Sequence, residues 1–212
     1  MLKDYTHISV VLDESGSMET IKAATVEGYN AFVLLNSSLP GKLTTLVTQF
    51  NSSPHVGAFK EGGLTLLNDA NYHPTSNTAL YDAVGQTINL TGLKLSNMKE
   101  DKRPDKVIFL IVTDGEENSS KEFNHDQIAT MIKVQKEQYN WEFIFMGANI
   151  DAVKVASALH VNCANVLNYG YNHKDTKNAW KGMTVNTMSY RVGETTSASF
   201  TDEQRKEQHG VA

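Results

Sequence analysis

An apolar run near the start of the chain, Ile8-Ser9-Val10-Val11-Leu12, breaks at Asp13 and is followed at once by Glu14-Ser15-Gly16-Ser17. A strand that delivers one carboxylate and two hydroxyls into a tight turn supplies half of an all-oxygen cation site, the donor set that hard divalent ions take. The same residue types also serve a plainer purpose. Ser and Asp after a strand commonly cap the following helix, and Ser17 ahead of Met18-Glu19-Thr20 suits that role as well. Two further stretches set polar groups at the ends of apolar patterns. Asn77-Thr78-Ala79-Leu80-Tyr81-Asp82-Ala83 opens a helical pattern, and Thr113-Asp114-Gly115 closes the run Val107 to Val112.

The elements that must position these groups follow from periodicity. Ile8 to Leu12, Val107 to Val112 and Phe143 to Met146 are nearly continuous apolar segments of strand length, as in a parallel sheet covered on both faces. Helical patterns lie between them: Ile21 to Leu35 with Ile21, Ala24, Val26, Phe32 and Leu35 apolar, Leu80 to Leu90, a helix after Phe123 marked by Ile128, Met131, Ile132 and Val134, and Ala152 to Leu159. Thr44 to Phe50 and Val56 to Phe59 are close enough to form a hairpin, giving one antiparallel edge strand. Val161 to Leu167 reads as a last strand, and Thr176 to Tyr190 as a last helix with Trp180, Met183, Thr184 and Thr187 toward the sheet. This alternation predicts an α/β fold, a doubly wound, Rossmann-like and mostly parallel sheet of about six strands with helices on both faces. Ligands in such folds bind beyond the carboxyl ends of the strands, where Asp13 falls. Residues 1–191 are expected to form the domain, with 192–212 a polar tail, mobile or loosely docked.

Composition narrows the class. Of 212 residues, 40% are hydrophobic and 20% charged, which is ordinary globular usage, and a net charge of -5 argues against a nucleic-acid surface. Cys163 is the only cysteine, so no internal disulfide forms, and a reducing compartment is expected. It reads as a small buried residue. No apolar run reaches the roughly 20 residues of a membrane span, and the first residues lack a secretory pattern. The expectation is a cytoplasmic protein with neither membrane nor nucleic acid as partner. The seven histidines show no His-x-x-x-His spacing and read as surface or capping residues, and Glu14 and Glu19 as surface charge.

Asp13-x-Ser15-x-Ser17, Thr78 and Asp114, in that order, resemble the von Willebrand factor A (VWA) domain family and its metal-ion-dependent adhesion site (MIDAS), over most of the chain, roughly Thr6 to Arg191. The flanking Ala79-Leu80-Tyr81-Asp82-Ala83 and Gly147-Ala148-Asn149 are similar to those of intracellular microbial members. The resemblance implies an intact MIDAS with metal ligands Asp13, Ser15, Ser17, Thr78 and Asp114. It implies Mg²⁺ as cofactor, with Mn²⁺ or Ca²⁺ as alternatives, and a Glu or Asp side chain of a partner protein as ligand. Donor chemistry points the same way. Mg²⁺ held by neutral hydroxyls, with two acids binding directly or through water, stays under-neutralised and favours an external anionic oxygen. His73, Glu116, Glu117 and Asn118 flank the motifs as candidate rim contacts.

The expected function is therefore a non-enzymatic, metal-dependent protein-binding module that assembles or regulates a complex. A metal-assisted phosphoester hydrolase and a purely structural metal are the alternatives. Ser15 stands where a phosphatase of the haloacid dehalogenase kind places a second Asp, no Gly-x-x-x-x-Gly-Lys-Ser/Thr loop occurs, and no general base is evident.

Overall fold

Ile8, Val10 and Leu12 face one side of the central strand and Val11 the other, and none is more than 1% exposed. Such a strand belongs in mid-sheet. In the computed structural model, which describes residues 1–63, 65–148 and 150–209, it is β1 (Leu2–Asp13). The other strands are β2 (Lys42–Phe50), β3 (Pro54–Val56), β4 (Lys60–Glu61), β5 (Pro104–Thr113), β6 (Glu142–Ala148) and β7 (Val166–Tyr169). The sheet order is β3-β2-β1-β5-β6-β7, with β4 also on β2. β3 and β4 run antiparallel to β2, and all other pairs are parallel. The expected single antiparallel edge strand is thus two short pieces, because the chain leaves the ladder at Gly57, whose N–H still reaches Val47 O at 2.8 Å.

Helices α1 (Lys22–Ser38) and α5 (His173–Val192) cover the face presented by Ile8, Val10 and Leu12. On the other face lie α2 (Leu80–Ser96), α3 (His125–Tyr139) and α4 (Ala152–Ala158). Trp180 of α5 is 1% exposed and packs edge-on to Tyr29 of α1. Trp141 lies in the opposite layer, against Phe109 and Phe143. Local chemistry sets several boundaries. Asn124 and Gln127 form a reciprocal capping box at the start of α3, and Asn140 at φ 54° ends it. The chain steps from β1 to β2 on one side and continues from β5 on the other. The reversal of strand order therefore falls between β1 and β5, at Asp13 and Thr113.

Several expectations are corrected. Leu35 is 47% exposed, on the solvent side of α1. The last strand starts at Val166 rather than Val161, because Asn162 accepts from Ala164 N–H and turns Cys163–Asn165 into a 3₁₀ turn. That turn leaves Cys163 exposed, its Sγ 3.1 Å from Ser157 Oγ. The segment after Arg191, expected as a mobile or loosely docked tail, is not among these corrections: Ala198 is fully buried, Phe200 is 6% exposed, and α6 (Asp202–Lys206) follows, capped by Thr201. Asn149 of the Gly147-Ala148-Asn149 stretch and Gly210 to Ala212 of the tail lie outside the described residues.

His7 is not a surface residue but fully buried on β1, where it joins a polar seam beneath α2. Its ring nitrogens meet Thr44 Oγ1 at 3.0 Å and Ser9 Oγ at 2.9 Å, and Ser9 Oγ continues to Thr91 Oγ1 at 2.9 Å. Burial pushes its pKa from 6.5 down to about 3. The unfolded chain therefore takes up a proton near pH 6.5 that the folded chain refuses until about pH 3. Stability is held above pH 6.5 and declines as pH falls toward 3, by about 5 kcal/mol at most. In His7→Phe, chemical unfolding at stepped pH should show a shallower acid decline. Equal declines in both proteins would remove His7 from the account.

Candidate metal centre

Asp13 ends β1 with its carboxylate turned inward. Oδ1 accepts from Ser15 N–H at 2.7 Å and Oδ2 from Thr113 Oγ1 at 2.6 Å. Tyr72 donates to the Asp13 carbonyl at 2.7 Å. The backbone then enters a 3₁₀ turn over Gly16–Ile21 that Ser15 precedes without capping it. The two serine hydroxyls instead lie 3.1 Å apart, and Ser17 Oγ donates to Asp114 Oδ1 at 2.6 Å. The capping reading of this motif is therefore not what the side chains do.

Thr78 is brought to the same place on the loop that enters α2. A Cβ on Gly115 would stand 3.2 Å from Thr78 Oγ1 and 3.9 Å from Ser17 Oγ, so both hydroxyls flank one point and a side chain at 115 would press on Thr78. Two acids, Glu117 on the loop after β5 and Asp82 on α2, hold this arrangement. Glu117 accepts from the N–H groups of Ser119 and Ser120, from Ser120 Oγ, and from Tyr81 N–H at the start of α2. Asp82, in the first turn of α2, accepts in return from Lys121, Glu122 and Phe123 N–H at 2.8–2.9 Å. Carboxylates that take backbone N–H groups at a helix start also complement its dipole.

All five expected metal ligands thus converge at the switch point. Asp13, Ser15, Thr78 and Asp114 are buried and Ser17 is exposed. The rim divides. Glu117 turns inward to cap α2, and Asn118 Oδ1 accepts from Thr78 N–H at 2.9 Å. Glu116 and His73 are exposed, and His73 N–H donates to Glu14. Glu14 is not surface charge: it is 8% exposed, and its carbonyl accepts from Thr75 N–H at 2.8 Å, strapping the 68–78 loop to the first motif. Sequence reasoning missed Tyr72, Asp82, Thr113 and Tyr171, whose hydroxyl donates to Ser17 O. Only Asp82 had a local signal, an acid in the first turn of a helix.

The electrostatics ask for a cation. Burial, then the neighbouring Asp114, raises the Asp13 pKa to about 6, against hydrogen bonds from Thr113 and Ser15 that lower it. Burial likewise raises Asp114, against Ser17 and Tyr171. Asp114 Oδ2 is buried with no hydrogen-bond partner, a costly state for a carboxylate oxygen. The oxygen separations of 2.6 and 3.1 Å bracket the edge of about 2.9 Å of an octahedron with metal–oxygen bonds of 2.0–2.1 Å. Among the described residues no group of three or more His, Cys, Asp or Glu is placed to hold a metal ion, and the donors gathered here are two carboxylates and hydroxyls, all oxygen.

No family model matches the sequence, and no curated protein matches it. Solved structures do. A von Willebrand factor type A protein from Catenulispora acidiphila superposes with a TM-score of 0.56 at 15% identity, over 87% of this chain and 43% of that one. The fold is that of a VWA domain. The VWA fold is also shared with proximal thread matrix protein 1 from the mussel byssus, in a form with a zinc-occupied MIDAS motif, at TM-score 0.56 and 10% identity over 85% of this chain and 45% of that one. Manganese-loaded TRAP protein from Plasmodium vivax matches at TM-score 0.53 and 14% identity, over 81% and 70%. The chain spans less than half the length of the first two of these VWA structures.

Proposed function

We propose that this chain is a non-enzymatic, metal-dependent protein-binding module of the cytoplasm, an intracellular microbial-type VWA domain over residues 1–191 with an intact MIDAS. Asp13, Ser15, Ser17, Thr78 and Asp114 hold a divalent cation, Mg²⁺ first, and its partner is a protein offering a Glu or Asp carboxylate. The observation that carries this reading is the buried, partnerless Asp114 Oδ2 beside the Ser15 and Ser17 hydroxyls. Bound there, the cation would supply an electrophilic position open to an external oxygen. The chain's own groups do the rest: hydroxyls contribute no charge, and the Asp13 carboxylate is already committed to Ser15 and Thr113. The named metal-loaded proteins with the same fold support a cation at this edge. Among the described residues no helix is long and apolar enough to cross a membrane.

Affinity capture from the host's lysate in Mg²⁺, followed by elution with EDTA and mass spectrometry, tests the reading. Partners should elute with EDTA and fail to bind Asp114→Ala. Equal recovery with and without EDTA would sink it.

A further inference from the structure

We propose that the cleft at the opposite end of the sheet from Asp13 binds a monocarboxylate with an aliphatic or aromatic body. This cleft, of about 830 Å³, lies between the C-terminal halves of α2 and α3, over the start of β5 and the entry to β6. Its floor is apolar and buried, with Ile88, Val107 and Trp141 at 2%, 6% and 5% exposure. Its mouth holds Leu93 and Tyr139 in water, at 60% and 59%. Cavities of roughly 300–1,000 Å³ with apolar walls and a few fixed polar groups are the usual form of small-molecule sites.

The headgroup is specified by Arg103. Of the side chains lining the cleft, only those of Arg103 and Glu100 are charged. Arg103 Nε donates to Met98 O at 3.1 Å and Nη2 to Ser96 O at 3.1 Å, which satisfies carbonyls after α2 and fixes the guanidinium plane. Among the described residues no carboxylate lies within ion-pair distance of it, and Nη1 has no acceptor. A fixed, unpaired cation at the edge of an apolar cavity recognises an anion that carries an apolar tail. A single cation with Glu100 nearby balances one negative charge, which favours a carboxylate over a dianionic phosphate. The site shares no residue with the metal centre and does not depend on the proposed function.

Octanoate and octanol, titrated into the full chain, serve as probes, followed by Trp141 emission over the constant background of Trp180 in the other layer. Octanoate is expected to give a saturable change. Arg103→Gln should weaken octanoate by about tenfold or more and leave octanol unchanged, octanol reporting that the cleft is intact. Gly92 lines the cleft and a Cβ there meets nothing within 4 Å, so Gly92→Phe adds bulk at the lining without a contact at its Cβ and should weaken both probes. The proposal is overturned if wild type shows no saturable octanoate binding, if Arg103→Gln weakens both probes equally or neither, or if Gly92→Phe still binds octanoate as wild type does.

Discussion

Asp114→Ala is expected to lower Mn²⁺ or Mg²⁺ affinity by about 100-fold or more, since changes even one shell outside a metal's ligands cost about 10–100-fold. Its folding should be nearly unchanged. The wild-type carboxylate accepts one bond, from Ser17, and keeps its other oxygen buried without a partner, so its removal also relieves a desolvation cost. Asp13→Ala should lose the cation and stability together, because the Ser15 N–H is then orphaned in the interior, at about 1–3 kcal/mol, and the Thr113 hydroxyl is left with Gly115 alone. Calorimetric titration with Mn²⁺ separates the two effects when run beside urea unfolding. An Asp114→Ala protein that binds Mn²⁺ as tightly as wild type would mean the cation, if any, sits elsewhere.

The second large effect concerns the layer formed by α1 and α5. Trp180→Ala should cost about 3–5 kcal/mol, the range for emptying a buried aromatic site, against a total stability of about 5–15 kcal/mol. Gly28→Ala, which in an exposed helix would stabilise by about 1 kcal/mol, should here destabilise by about 1–3 kcal/mol. A Cβ at position 28 would lie 2.3 Å from Trp180 Cγ, and the indole is held in place by Tyr29 and Phe32 as well. The two changes share one volume, so they should not add: in the Trp180→Ala background Gly28→Ala should become neutral or stabilising. Additive costs in urea unfolding would show that the glycine is not there for the tryptophan.

The fold was legible because its determinants are local. Continuous apolar runs marked β1, β5 and β6, and 3.6-residue spacing marked the helices that separate them. The five residues that meet at the switch point were legible for the same reason, each sitting at or just beyond an apolar element. What was hidden depends on contacts far apart in the chain. Glu117 read as a rim residue, yet it caps α2 through Tyr81, and nothing near Glu117 announces that partner. Glu14 and His7 read as surface groups because their types usually are; the strap of residue 73 and the threonines of β2 and α2 make their burial tolerable. Cys163 was misplaced by a single Asx turn at Asn162, which delays the start of the strand to Val166. The apolar character of Leu35 gave no clue to which side of α1 it would take.

Parallel pairing of β1 with β5 joins Asp13 to Thr113 across 100 residues of chain. During synthesis at about 5–20 residues per second, the first carboxylate leaves the ribosome at least about 5 s before the second. For that interval β1 and β2 must hold together on their ladder, their apolar faces and the Thr44 contacts, without the carboxylate of Asp114. On the proposed function, metal loading would be a finishing step of assembly, open to a chain whose central strands have already docked.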